Sequence, residues 1–171
     1  MAPTSSDPRP LHVVLGSGPA GTDVARELVR RGHAVRLVNR KGDGPGIEGV
    51  QRFAADVGTS EGARAAVEGG AVVYHCVNVA YHLQVEVMPG IQQTVLGAVE
   101  ASGARLVVLD NIYPYGETGG EVMTEASPWR TTTRKGRMRA ALDERYLAAH
   151  QEGRARVVLG RSADFVGPGV L

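Results

Sequence analysis

Apolar residues fall into short unbroken runs separated by stretches in which they recur every three or four positions. The runs read as strands and the recurring stretches as helices. Leu11–Leu15 is the first strand. Val24, Ala25, Leu28 and Val29 then mark one face of a helix, closed by Gly32 after Arg30 and Arg31, whose charge suits the negative end of the helix dipole. Ala34–Val38 is a second strand and Lys41–Gly49, with four glycines and Pro45, a loop. Val50–Ala54 is a third strand. Thr59 or Ser60 caps a helix over Glu61–Val67. Ala71–Val77 is a fourth strand, apolar enough to be buried on both faces. A long helix fits Met88–Ser102, with Gly103 behind it. Arg105–Leu109 is a fifth strand, a helix runs from about Arg134 to Ala149, and Arg156–Leu159 is a sixth strand.

Strands alternate with helices along the whole length, with no internal repeat. That pattern predicts an α/β fold: a doubly wound parallel sheet of about six strands with helices on both faces, in the order 3-2-1-4-5-6. Residues 1–10 are polar, hold three prolines and are expected to be a disordered tail, leaving 11–171 as one domain.

Between the first strand and the first helix stands Gly16-Ser17-Gly18-Pro19-Ala20-Gly21. The first glycine of such a loop permits the tight turn, the second lets a pyrophosphate approach the backbone, and the third lets helix and strand pack closely. Free N–H groups and the positive end of the helix dipole then face the phosphates. The strand–loop–helix–strand setting makes this a dinucleotide-binding, Rossmann-like unit. The end of the second strand selects the cofactor. An acid there would accept from the 2′-hydroxyl of NAD. The chain instead has Asn39-Arg40-Lys41, and an arginine can stack on adenine and hold a 2′-phosphate, so NADP is expected, with NAD second. Asp56 and Val57, after the third strand, either reach the adenine or merely form a turn. Asn78, Val79 and Ala80 follow the fourth strand at the expected switch point, beside the ribose.

Charge and composition narrow the partners. The 171 residues carry 19 Lys and Arg against 18 Asp and Glu, so the chain is not a strongly basic nucleic-acid binder. The five cations between Arg130 and Arg139 read as a solvated helix face. Cys76 is the only cysteine, the start lacks the apolar core of a signal peptide and no apolar run is long enough for a membrane span, so a cytoplasmic protein is expected. His75, Cys76, His82 and His150 lack metal-ligand spacing, and no metal is expected. Cys76 reads as a small core residue. Tyr113 and Tyr115 line either a nicotinamide pocket or an ordinary loop.

Three segments carry a family resemblance: LGSGPAGTDVARELVRRGHAVRLVNR (15–40), DNIYPYG (110–116) and GRSADFVGPG (160–169). Together they resemble the extended short-chain dehydrogenase/reductases, the NAD-dependent epimerase/dehydratases. The second is similar to that family's SSxxVYG and the third to its RxxxVYGPG, whereas GxGxxG is one residue shorter than the family's usual GxxGxxG. The resemblance implies a Rossmann domain, NAD(P) binding and hydride transfer on a carbonyl or alcohol, often of a nucleotide sugar. It also implies a homodimer built on the helices at 88–102 and 134–149, which an exposed apolar stripe would support.

The family's Ser/Thr and YxxxK tyrosine and lysine are not kept. The resemblance puts Asn111 at the Ser/Thr position and Tyr115 at the YG tyrosine. It sets KGRMRAALDE (135–144) on YGxSKxxxE, with Lys135 at the tyrosine and Arg139 at the lysine. Asn111 can donate to a substrate oxygen. Lys135 serves as an acid only if Arg134, Arg137 and Arg139 press it to release its proton; the plainer reading is a solvated helix start. Family members continue past the sixth strand into a substrate-binding lobe, so that lobe is expected to be missing. Two alternatives stand beside the enzyme: an NADP-binding sensor or regulator without catalysis, and a truncated, inactive chain.

Overall fold

The computed structural model describes residues 9–165. The expectations for the rest of the tail, and for the last part of the GRSADFVGPG segment, lie outside the described residues. The elements are β1 (Leu11–Leu15), α1 (Pro19–Arg30), β2 (Ala34–Asn39), β3 (Val50–Ala54), α2 (Ser60–Val67), β4 (Gly70–His75), α3 (Gln84–Ser102), β5 (Arg105–Asn111), α4 (Arg134–Gln151) and β6 (Arg156–Ser162), with a 3-10 turn at Tyr81–Leu83 before α3. The six strands form one parallel sheet in the order β3-β2-β1-β4-β5-β6. The doubly wound reading of the sequence therefore holds.

Alternation along β1 sorts the core into two layers. Val13 and Leu15 point to the side where α2, α3 and α4 pack, among Ala63, Val95, Val99, Leu106 and Leu142. Val14 points to the other side, against Ala25 and Leu28 of α1 and Val35 and Leu37 of β2. Only α1 covers that second face among the described helices. Tyr74 on β4 is half-buried there, and Val158 on β6 is 52% exposed. No described helix is long and apolar enough to cross a membrane.

Several boundaries differ from the sequence reading. Helix α3 begins at Gln84, a turn earlier than Met88, although Pro89 lies inside it. Proline removes one backbone donor, and burial of Gln84 and Met88 on the first turn keeps that turn helical. Strand β4 stops at His75, because its partner β1 ends at Leu15; beyond it Cys76 N–H donates to the Leu15 carbonyl (2.9 Å) and the chain leaves the sheet. Strands β5 and β6 run on past Leu109 and Leu159. Asp110 pairs there with Arg161 and Asn111 with Ser162, so opposite charges carry the ladder where apolar residues end.

Candidate functional site

The glycine loop turns between β1 and α1 at the C-terminal edge of the sheet. Gly16 has φ +99°, and a Cβ there would come within 2.9 Å of the Cys76 carbonyl oxygen. Its N–H donates to the Val38 carbonyl (2.8 Å), which ties the turn to β2. A Cβ on Gly21 would run into the Gly16 carbonyl, so the third glycine is what lets α1 sit against the turn. Gly18 differs from both, because a Cβ there would meet nothing within 4 Å. The middle glycine thus faces open space at the start of α1, where no side chain caps the helix and Pro19 occupies its first turn. Ser17, Pro19 and Ala20 complete the loop, and Thr22 Oγ1 donates back to the Ser17 carbonyl (3.1 Å). This cradle is the shape that a pyrophosphate fits.

Beside it, the end of β2 is organised by one side chain. Asn39 Oδ1 accepts from Lys41 N–H (2.9 Å) and Gly42 N–H (2.7 Å). Its Nδ2 donates to Ser17 Oγ (2.7 Å) and reaches both the backbone oxygen (2.7 Å) and Oδ1 (3.2 Å) of Asp43. The loop after β2 is thereby folded back onto the glycine loop. Arg40 is exposed on the turn.

Asp56 is a turn residue: its Oδ1 accepts from Gly58 N–H (2.9 Å) and its carbonyl from the Thr59 hydroxyl (2.9 Å). Val57 is a core side chain whose carbonyl accepts from Thr94 Oγ1 (2.5 Å). Asp56 thus has the geometry of the turn alternative with its side chain exposed, and Val57 is a core residue. Past β4, Asn78 Oδ1 accepts from Val79 N–H (3.0 Å), Gln84 Nε2 (3.0 Å) and Arg139 Nη2 (3.4 Å). Ala80 opens the 3-10 turn.

The four proposed catalytic residues each have partners of their own. Asn111 ends β5 with its Oδ1 accepting from Tyr113 N–H (3.0 Å). Lys135 Nζ donates to the Tyr81 carbonyl (2.8 Å) and lies over the Tyr81 ring. Arg137 turns away to the Thr132 carbonyl. Arg139 is buried, with Nη2 on Gln84 Oε1 (3.3 Å) and its Nε without a hydrogen-bond partner among the described residues. The set of positive charges around Lys135 is thus dispersed rather than focused on it. Tyr115 takes the loop-packing alternative: it is buried, and its hydroxyl accepts from Arg161 Nη1 (2.8 Å).

Arg161 is the centre of a cluster that the sequence reading missed. Its guanidinium bridges Asp110 (3.3 Å) and Asp143 (2.9 Å), both nearly fully buried, and lies over the rings of Tyr115 and Trp129. Burial first, and the neighbouring Asp110 next, push the Asp143 carboxyl up to about 7 against the pull of Arg161. Burial also raises the Tyr146 phenol nearby. Burial, with Arg139 second, pushes His75 down to about 4, and burial alone pushes the Cys76 thiol up to about 11. A signal for the cluster was present: Asp143 stands at the acid position of YGxSKxxxE and Arg161 at the arginine of RxxxVYGPG. The network also accounts for Trp129, which holds the long β5–α4 loop against Arg161 of β6.

A groove of about 720 Å³ lies on the outer side of α2, α3 and α4, lined by Arg64, Gln93, Glu100, Arg145 and Arg154 among others. Val87 and Leu147 are the large apolar side chains that α3 and α4 expose among the described residues.

The arrangement is a Rossmann-like α/β fold. No protein-family model matches the sequence, and no curated protein matches it. Solved structures do share its fold. A UDP-glucose 4-epimerase from Thermus thermophilus, in complex with NAD, superposes with a TM-score of 0.75 at 23% identity, over 88% of this chain and 54% of that one. A UDP-galactose 4-epimerase gives 0.78 at 22%, over 94% and 58%. A dTDP-glucose 4,6-dehydratase from Streptomyces venezuelae, with NAD bound, gives 0.75 at 18%, over 88% and 54%. The chain spans a little over half the length of these structures.

Proposed function

We propose that this chain binds a nicotinamide dinucleotide and belongs with the extended short-chain dehydrogenase/reductases of the epimerase/dehydratase type, acting in the cytoplasm. The observation that carries the reading is the glycine cradle: Gly16 and Gly21 have no room for a side chain, whereas Gly18 opens to solvent beside an uncapped helix start. Gly16 to Gly21 would hold the pyrophosphate, and Asn78 and Val79 would flank the ribose at the switch point. Arg40 is the group that would meet a 2′-phosphate, so both NAD and NADP come within the reading. The bound dinucleotide would supply a hydride donor or acceptor.

For the chemistry, Asn111 at the end of β5 is the residue positioned to donate to a carbonyl or alcohol oxygen, as on a nucleotide sugar. A second reading, a dinucleotide-binding sensor or regulator, is favoured by one specific observation. Lys135 is engaged by Tyr81 and Arg139 is buried under Asn78, so no Tyr–Lys pair is assembled for proton transfer. Calorimetric titration with NADH and NADPH tests the shared core of both readings. Saturable one-to-one binding of either supports it; heat of dilution alone for both overturns it. Oxidation of bound NADH by a panel of nucleotide-sugar ketones then separates enzyme from sensor.

A further inference from the structure

We propose that Asp43 is the residue that selects between the two dinucleotides, and that it selects NAD; this rests on the dinucleotide reading above. The end of β2 lacks the acid that would accept from an adenosine 2′-hydroxyl, and Asn39 stands in its place. The structure brings an acid back to that point by another route. Asn39 closes a tight turn on Lys41 and Gly42 through its Oδ1, and its Nδ2 then reaches both the backbone and the carboxylate of Asp43, the latter at 3.2 Å. The same Nδ2 is 2.7 Å from Ser17 Oγ, inside the glycine loop. Gly44, with φ +132°, continues the loop so closely that a Cβ there would lie 3.6 Å from the Ser17 Cβ.

One carboxamide therefore joins the glycine loop to a carboxylate four residues beyond the strand. That carboxylate is exposed, so its remaining acceptor positions are open to a ligand. A ribose whose pyrophosphate lies on Gly18 would present its 2′-hydroxyl toward this corner. An ionised carboxylate accepts from a hydroxyl but repels a phosphate dianion at the same point. Arg40 is the opposing feature, an exposed cation on the same turn.

Competitive calorimetry on the full chain decides between them, with NADH and NADPH as the probes. The expected result is NADH binding at least about tenfold tighter than NADPH, a ratio that corresponds to about 1.4 kcal/mol. Asp43→Asn keeps the shape and the bond from Asn39 but removes the charge, and it should bring the two affinities to within about threefold of each other. Asn39→Ala keeps the charge but frees the loop, and it should narrow the ratio as well. Equal binding by the wild type, a ratio unchanged in Asp43→Asn, or an NADPH preference abolished by Arg40→Ala would each overturn the assignment while leaving dinucleotide binding intact. Binding of neither probe would instead remove the reading on which it rests.

Discussion

The three glycines of the loop have separable roles, and substitution distinguishes them. Gly18→Ala places a methyl group in open space, so the melting temperature should stay within about 2 °C of the wild type. Affinity for NADH should nevertheless fall about tenfold or more, because that space is where the proposed pyrophosphate would approach. Gly21→Ala forces a Cβ onto the Gly16 carbonyl and should cost about 1–3 kcal/mol in urea unfolding, as overpacking does. Equal melting of the two variants would contradict the assignment. At this scale the sequence was informative wherever a residue acts through its own neighbours. Gly16, Gly18 and Gly21 were legible because the tight turn and the close strand–helix packing they allow follow from their spacing along the chain. Asp43 was not, because only the side chain of Asn39 and a glycine-rich loop bring it back to Ser17. Asp110, Asp143 and Arg161 lie far apart along the chain, and their meeting is decided by the pairing of β5 with β6 and the packing of α4.

Among the elements, α4 begins at a built cap. Thr133 accepts from Gly136 N–H at 3.0 Å through its hydroxyl, with backbone in the extended region. Thr133→Ala should lower stability by about 1 kcal/mol, read from the urea midpoint at constant slope; no change would mean that the cap is replaced by solvent. The same helix shows why the order of elements could be read from the sequence while their ends could not. Hydrophobic period places a helix near 134–149 and another near 88–102, but ends depend on capping and on what a first turn buries. The apolar period begins at Met88, yet the buried Gln84 extends α3 by a turn. Likewise β5 and β6 end beyond their last apolar residues because Asp110 and Arg161 neutralise each other across the ladder.

On the scale of the whole molecule, two buried groups oppose each other as pH changes. Asp143 in the native state titrates near 7, above its ordinary 3.8. The folded chain therefore holds a proton that the unfolded chain has lost, and this contribution to stability declines as pH rises from about 4 through 7. His75 titrates near 4, below its ordinary 6.5. Its contribution is full above 6.5 and declines as pH falls toward 4. Asp143→Asn removes only the first, so the unfolding free energy of the variant relative to wild type should rise steadily with pH across about 4 to 7. Parallel pH profiles would contradict the burial-driven shift.

The proposed dinucleotide would lie across the glycine loop and the folded-back end of β2. Backbone amide chemical shifts of the nitrogen-labelled chain, recorded as NADH is added, test it residue by residue. The expected result is saturable displacement of Ser17, Gly18, Ala20 and Gly21 together with Lys41, Gly42 and Asp43, while the amides of Gln93, Gly97 and Arg145 on the far side of the helices stay in place. Saturable shifts confined to the helix groove, or none at the glycine loop at saturating NADH, would contradict it.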